Sequence, residues 1–99
     1  MKVGFDFDDT LTTEKGMRVA RFRKSQNDDL YIVSARHILG SDMLEKAKAL
    51  GIGWNHVFAT GSNKAKVEKV VSLGLNMFYD NNKDVIEALN GMGIKAFQI

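Results

Sequence analysis

The chain contains no cysteine and no proline. Without cysteine there is no disulfide framework and no thiolate metal site. Without proline, the punctuation between elements falls to Gly and Asn. Long apolar runs are also missing, and none approaches the ~20 residues that a membrane-spanning helix needs. The opening "MKVGFDFDD" puts acids where a secretory leader carries its apolar centre. These absences together lead us to expect a cytoplasmic protein with no membrane partner. A strong charge of one sign is absent too, since the net charge of +2 is too mild to imply nucleic acid by itself. No repeat, linker or low-complexity tract interrupts the chain. What remains is 99 residues, 44% of them hydrophobic and 26% charged, which bounds one globular domain over residues 1–99.

Short apolar, β-branched or aromatic runs recur at Val3–Phe7, Leu30–Val33, His56–Thr60, Met77–Tyr79 and Lys95–Ile99. Helical patterns separate them. Asp42–Leu50 places Met43, Ala47 and Leu50 on one face, with Ser41 or Asp42 as cap and Gly51 as stop. Lys64–Leu73 turns Val67, Val70 and Val71 inward, and Lys83–Asn90 does the same with Val85, Ile86 and Leu89. A weaker pattern covers Gly16–Gln26, where Arg18, Arg21 and Lys24 share one face and Val19 and Phe22 lie toward the other. A solvated face is the default reading of those cations. Strands alternating with amphipathic helices predict an α/β fold, a parallel sheet of about five strands with helices on both faces.

In such sheets ligands bind beyond the carboxyl ends of the strands. The polar residues that fall there are Asp6 and Asp8, then Ser34, then Thr60–Lys64, then Asp80 and Asn81. Carboxylates that repel each other are useful next to a cation, and hard carboxylate oxygens suit Mg²⁺.

Four ordered motifs carry a resemblance to a known family. An apolar strand runs into Asp6, Phe7, Asp8, Asp9 and Thr10, the pattern D-x-D-x-T; "LYIVS" ends at Ser34; "SNKAKVEKVV" supplies a Lys near a helix start; and "MFYDNNKD" supplies Asp80 and then Asp84. Together they span residues 3–84, and the chain resembles the haloacid dehalogenase superfamily of phosphohydrolases. The resemblance implies a three-layer α/β/α, Rossmann-like core. It further implies Mg²⁺-dependent hydrolysis of phosphomonoesters through an aspartyl-phosphate on Asp6. Asp8 would act as general acid and base; the metal would be held by Asp6, Asp8 (through its backbone carbonyl) and Asp80; and Ser34, Lys64 and Thr10 would hold the phosphoryl group. An acid at position 8 is the family's mark of phosphate-ester hydrolysis.

Lys64 competes with Lys66 for the third motif, and the spacing to Val67 favours Lys64. The fourth motif departs from two adjacent acids, because Asn81 follows Asp80; Asn81 or Asp84 would complete the metal's surroundings. Asp84 also reads as a first-turn helix acid. Asp9 reads as a turn former at a position where the family often has Gly. Arg36 and His37, directly after Ser34, are either substrate contacts or solvated loop residues. Trp54 and His56 fall at the opposite end of the sheet.

Residues 9–33 and 35–63, the intervals between the first three motifs, are filled by single helices and strands. Neither leaves room for the inserted cap that covers the site in most of the family. An open site implies a phosphorylated substrate that is either a small molecule, such as a nucleotide, or a nucleic-acid end, or else a second subunit serving as lid. Two other classes compete. A catalytically weak phosphate- or metal-binding module of the same fold stays open. A signalling receiver domain would need an acceptor Asp after a central strand near mid-chain, where this chain has "FATGSN".

Overall fold

A computed structural model describes all of residues 1–99. Five strands, β1 (Lys2–Phe5), β2 (Asp29–Ser34), β3 (Val57–Ala59), β4 (Met77–Asp80) and β5 (Lys95–Gln98), form one sheet in the order β3-β2-β1-β4-β5. Every pairing is parallel. Four helices connect them: α1 (Glu14–Ser25), α2 (Ser41–Ala49), α3 (Asn63–Ser72) and α4 (Lys83–Gly91). The expected α/β architecture with five parallel strands is therefore present, consistent with a Rossmann-like fold. No helix is long and apolar enough to cross a membrane.

The pleat distributes side chains into two cores. Val3, Phe5, Leu30 and Ile32 pack with Met17 and Ala20 of α1 and Met43 and Ala47 of α2. Tyr31, Val33 and Phe78 pack with Val67 and Val70 of α3 and Val85 and Leu89 of α4. Alternation within single strands, Leu30/Ile32 against Tyr31/Val33, is what a parallel sheet buried on both faces requires.

Chain order positions the site. The chain runs outward from β1 to β3, then crosses back so that β4 pairs with β1 on its other side. The order reverses between β1 and β4, which is where crevices open in such sheets. Phe5 pairs with Tyr79, so Asp6 and Asp80 emerge side by side at that reversal.

Two boundaries differ from the sequence expectation. β1 ends at Phe5, because the chain then enters a wide turn, Phe7–Leu11, with Asp9 at φ 59°. That left-handed backbone accounts for a position suited to Gly or Asp. His56 lies in a short 3₁₀ turn, Trp54–His56, rather than in β3; it stacks on Tyr31 and contacts the Leu30 carbonyl at 3.0 Å. The expected inward faces also shift slightly. Val71 is 44% exposed and Phe22 is 56% exposed, so α1 buries Gly16, Met17 and Ala20 instead.

Gly16 fixes how α1 meets the turn. A Cβ there would lie 1.8 Å from the Thr10 carbonyl oxygen. The same carbonyl accepts from the Thr13 hydroxyl, which itself caps α1 by accepting from the Gly16 N–H. The helix start is thus clamped onto Thr10 with no room for a methyl group. Gly16→Ala is expected to lower unfolding free energy by about 3 kcal/mol or more, as severe overpacking does. Gly91→Ala, whose Cβ meets nothing within 4 Å, should change it by less than about 1 kcal/mol. Urea unfolding of the two variants checks the contrast.

Candidate functional site

Three charged side chains converge where β1 and β4 end. Asp6 is 4% exposed, Asp80 0% and Lys66 3%. Lys66 Nζ donates to Asp6 Oδ1 at 2.9 Å and to Asp80 Oδ2 at 3.0 Å. Lys66 reaches them from the second turn of α3, whose start is capped by the Ser62 hydroxyl accepting from the Ala65 N–H. Burial of unpaired charge at this depth would be prohibitive, so the ammonium is what permits both acids to sit there.

This geometry corrects the choice of Lys64. Lys64 is exposed and lines a shallow groove between α3 and α4 with Asp84 and Val85. Two residues apart on a helix means about 200° of rotation, so Lys64 and Lys66 point in nearly opposite directions. The signal for Lys66 was present in the sequence. Lys66, Val70 and Leu73 follow the i, i+4, i+7 stripe, and Val70 is fully buried. The competing stripe from Lys64 runs through Val67 to Val71, and Val71 is on the surface.

The remaining carboxylate oxygens point the other way. Thr10 Oγ1 donates to Asp6 Oδ2 at 3.2 Å. The Asn82 N–H donates to Asp80 Oδ1 at 3.1 Å. The Asn81 amide, turned with its nitrogen toward the acids, donates to Asp80 Oδ1 at 3.0 Å and Asp6 Oδ2 at 3.1 Å. Between Asn81 and Asp84, it is therefore Asn81 that meets the acids. Asp84 is exposed at the first turn of α4, and its N–H is capped by Asn82 Oδ1. Thr10 touches Asp6 through its hydroxyl, so it orients that carboxylate.

Ser34 ends β2 as expected and is 1% exposed. Its hydroxyl accepts from the Arg36 N–H at 3.0 Å, and its carbonyl accepts from both the N–H and the hydroxyl of Thr60 at 2.8 Å. Those bonds tie the ends of β2 and β3 together. His37 is exposed, next to Gly61.

Asp8 is drawn away from the other two acids. Arg36 grips it with two bonds, Nε to Oδ2 at 2.8 Å and Nη2 to Oδ1 at 2.7 Å, and holds Asp42 with two more at 2.9 and 3.0 Å. The guanidinium also lies 5.0 Å over the Phe7 ring. Neither reading made for Arg36 included this clasp, because a turn residue and a first-turn helix acid 28 and 6 positions from it carry no local pattern. Asp42 does not cap α2 as expected, nor does Ser41; the N-cap position falls on Gly40, with no side-chain cap bond. Hydrogen bonding from Arg36 pulls the carboxyls of Asp8 and Asp42 below the usual range.

No group of three acids or histidines is assembled that could hold a metal ion, so the Asp8 carboxylate does not join Asp6 and Asp80 as a ligand side chain. Two carboxylates face one ammonium, which leaves the buried cluster one positive charge short. The oxygens turned from Lys66 already accept from N–H and O–H donors, so the net negative charge is what would attract a cation, which would have to displace the Asn81 amide to reach them. A pair of carboxylates matches the small protein share of a Mg²⁺ shell, which is otherwise water and phosphate oxygen. Asp6 and Asp80 thus fit the implied metal.

Compared with known proteins, the chain matches no protein-family model and no curated protein sequence.

The charge deficit has a measurable consequence. Burial raises the Asp6 carboxyl from 3.8 to about 6, Lys66 opposes this, and the neighbouring Asp80 adds to it. In the metal-free chain the folded state keeps the Asp6 proton over a range where the unfolded state has lost it. Stability from this group is therefore full below about pH 4 and is lost as pH rises through about 6. Wild type measured against Asp6→Asn should lose on the order of 2–3 kcal/mol between those pH values. Urea titrations of both proteins in chelator test this; a difference that stays flat with pH would show that folding leaves the Asp6 carboxyl unshifted.

Proposed function

We propose that the chain is a capless phosphomonoesterase of the haloacid dehalogenase type, with a three-layer α/β/α core. The observation that carries this reading is the buried Asp6–Lys66–Asp80 cluster at the sheet's reversal point, beside Ser34 at the end of β2. A receiver domain is disfavoured by the strand order, which is β3-β2-β1-β4-β5 and not the 2-1-3-4-5 order of receiver-type sheets.

In this reading Asp6 Oδ2 attacks phosphorus, and the bond to the leaving oxygen breaks as the Asp6–phosphate bond forms. Thr10 and Asn81 hold the attacking carboxylate in one rotamer. Lys66 and the Ser34 hydroxyl face the equatorial oxygens, where negative charge persists through the transfer. Asp8 gives a proton to the leaving oxygen and later takes one from the water that cleaves the acyl phosphate. For that, Arg36 has to release it, and incoming phosphate oxygens offer the guanidinium an alternative partner of the same geometry. Mg²⁺ bound by Asp6 and Asp80 would supply charge neutralisation between nucleophile and phosphate.

One observation favours a second reading, a phosphate- or metal-binding module with weak catalysis. The Arg36 clasp holds Asp8 ionised, and an ionised carboxylate has no proton to donate. Phosphate release from p-nitrophenyl phosphate, with and without Mg²⁺, separates the two. Turnover should require Mg²⁺ and vanish in Asp6→Asn. Lys66→Met should lower kcat/KM by about 10²-fold or more, whereas Lys64→Ala should stay within about threefold of wild type. Mg²⁺ binding by calorimetry without turnover would move the assignment to the binding module.

A further inference from the structure

Three of the cations of α1, Lys15, Arg18 and Arg23, lie beside aromatic side chains. α1 carries Lys15, Arg18, Arg21, Arg23 and Lys24 out of the 14 basic residues of the chain, against one acid, Glu14. Lys24 is engaged with the Gly51 carbonyl, and Arg23 with Asp28 and the Tyr79 hydroxyl. Lys15, Arg18 and Arg21 are exposed and form no ion pair. Along one flank of α1 runs an open groove of about 500 Å³ lined by Lys15, Arg18, Val19, Phe22, Arg23 and Tyr79, with no acid among them. Beyond the groove, the Phe97 ring on β5 has its centroid 5.5 Å from that of Tyr79. Phe22 and Phe97 are 56% and 43% exposed. The Arg23 guanidinium, mostly buried, sits 5.7 Å from the Phe22 ring and 6.0 Å from the ring of the buried Tyr79.

We propose that this groove is a track for single-stranded nucleic acid, whose terminal phosphate enters the carboxylate site; the placement of that terminus rests on the phosphatase reading above. Cations along a groove suit a polyanionic backbone, and the exposed Phe22 and Phe97 rings offer stacking faces to bases of any sequence. A protein partner is the poorer fit, because a groove lined by three cations and no acid calls for a closely spaced line of negative charge. A lone metabolite is also a poorer fit. Lys15 and Phe22 are separated by about 10 Å at the helical rise, against the ~3.4 Å between successive stacked nucleotides. Both walls lead to the site: α1 begins at the turn that carries Thr10, and Tyr79 directly precedes Asp80.

Fluorescence anisotropy with labelled oligothymidylate and oligouridylate tests this on the full chain, with p-nitrophenyl phosphate hydrolysis measured alongside. Binding of either strand that weakens with salt, and that falls by about tenfold or more in Phe22→Ala and in Arg18→Ala, supports the track; the two probes separate DNA from RNA. Both side chains are exposed, and circular dichroism checks that the variants fold. Hydrolysis of the small ester should be unchanged in both. No binding, or binding that both variants retain, overturns the track while leaving Asp6-dependent hydrolysis to stand. Groove-dependent binding with no hydrolysis would instead remove the phosphatase reading and keep the track. A dimer in sedimentation that dissociates in Phe22→Ala would overturn it in favour of self-association through this face.

Discussion

One ammonium between two carboxylates organises this molecule. Lys66 ties the end of β1 to the end of β4 through residues that are 60 and 14 positions away. Three buried charges of this kind are tolerated only as a set, because removing one partner leaves the others unpaired at a typical cost of about 3–5 kcal/mol. The set is still one positive charge short. That deficit is a poor device for stability, and it is what a cation would offset in the proposed reading. The surrounding donors, Thr10, Asn81 and the Asn82 N–H, satisfy the outer carboxylate oxygens without supplying the missing charge.

The two sides of the cluster are built differently. On the α1 side the turn is held by backbone and short side chains: Thr13 caps the helix, Gly16 lets it press on the Thr10 carbonyl, and Thr10 reaches Asp6. There is little freedom in such a chain of contacts. On the β2 side a long, half-buried side chain, Arg36, spans Asp8 and Asp42 at the surface. Exposed ion pairs contribute little to stability and exchange partners readily. In the roles proposed for Asp6 and Asp8, this would put the nucleophile on a rigid support and the proton carrier on an exchangeable one.

Much of this was legible in the residues. Short apolar runs separated by period-3.6 patterns are a local property, and they located all five strands and all four helices within a few positions. Asp6, Ser34 and Asp80 stood out because each directly follows or closes such a run. The errors lie where a residue's role depends on rotation or on distance along the chain. Lys64 and Lys66 share the same composition and neighbourhood, and only the buried stripe through Val70 tells them apart. Phe22 looks like a core residue by type, but the surface it covers depends on how far α1 extends across a sheet whose β5 edge carries no helix on that side.

Local chemistry, then, determined the elements, the strand ends and the acids that gather there, since hydrophobic period and chain order act over a few residues. Tertiary packing decided which lysine is buried, that Asn81 rather than Asp84 meets the acids, and that Arg36 takes hold of Asp8. Those contacts join residues tens of positions apart, and their partners are set by helix rotation and strand order, which no short stretch of sequence contains.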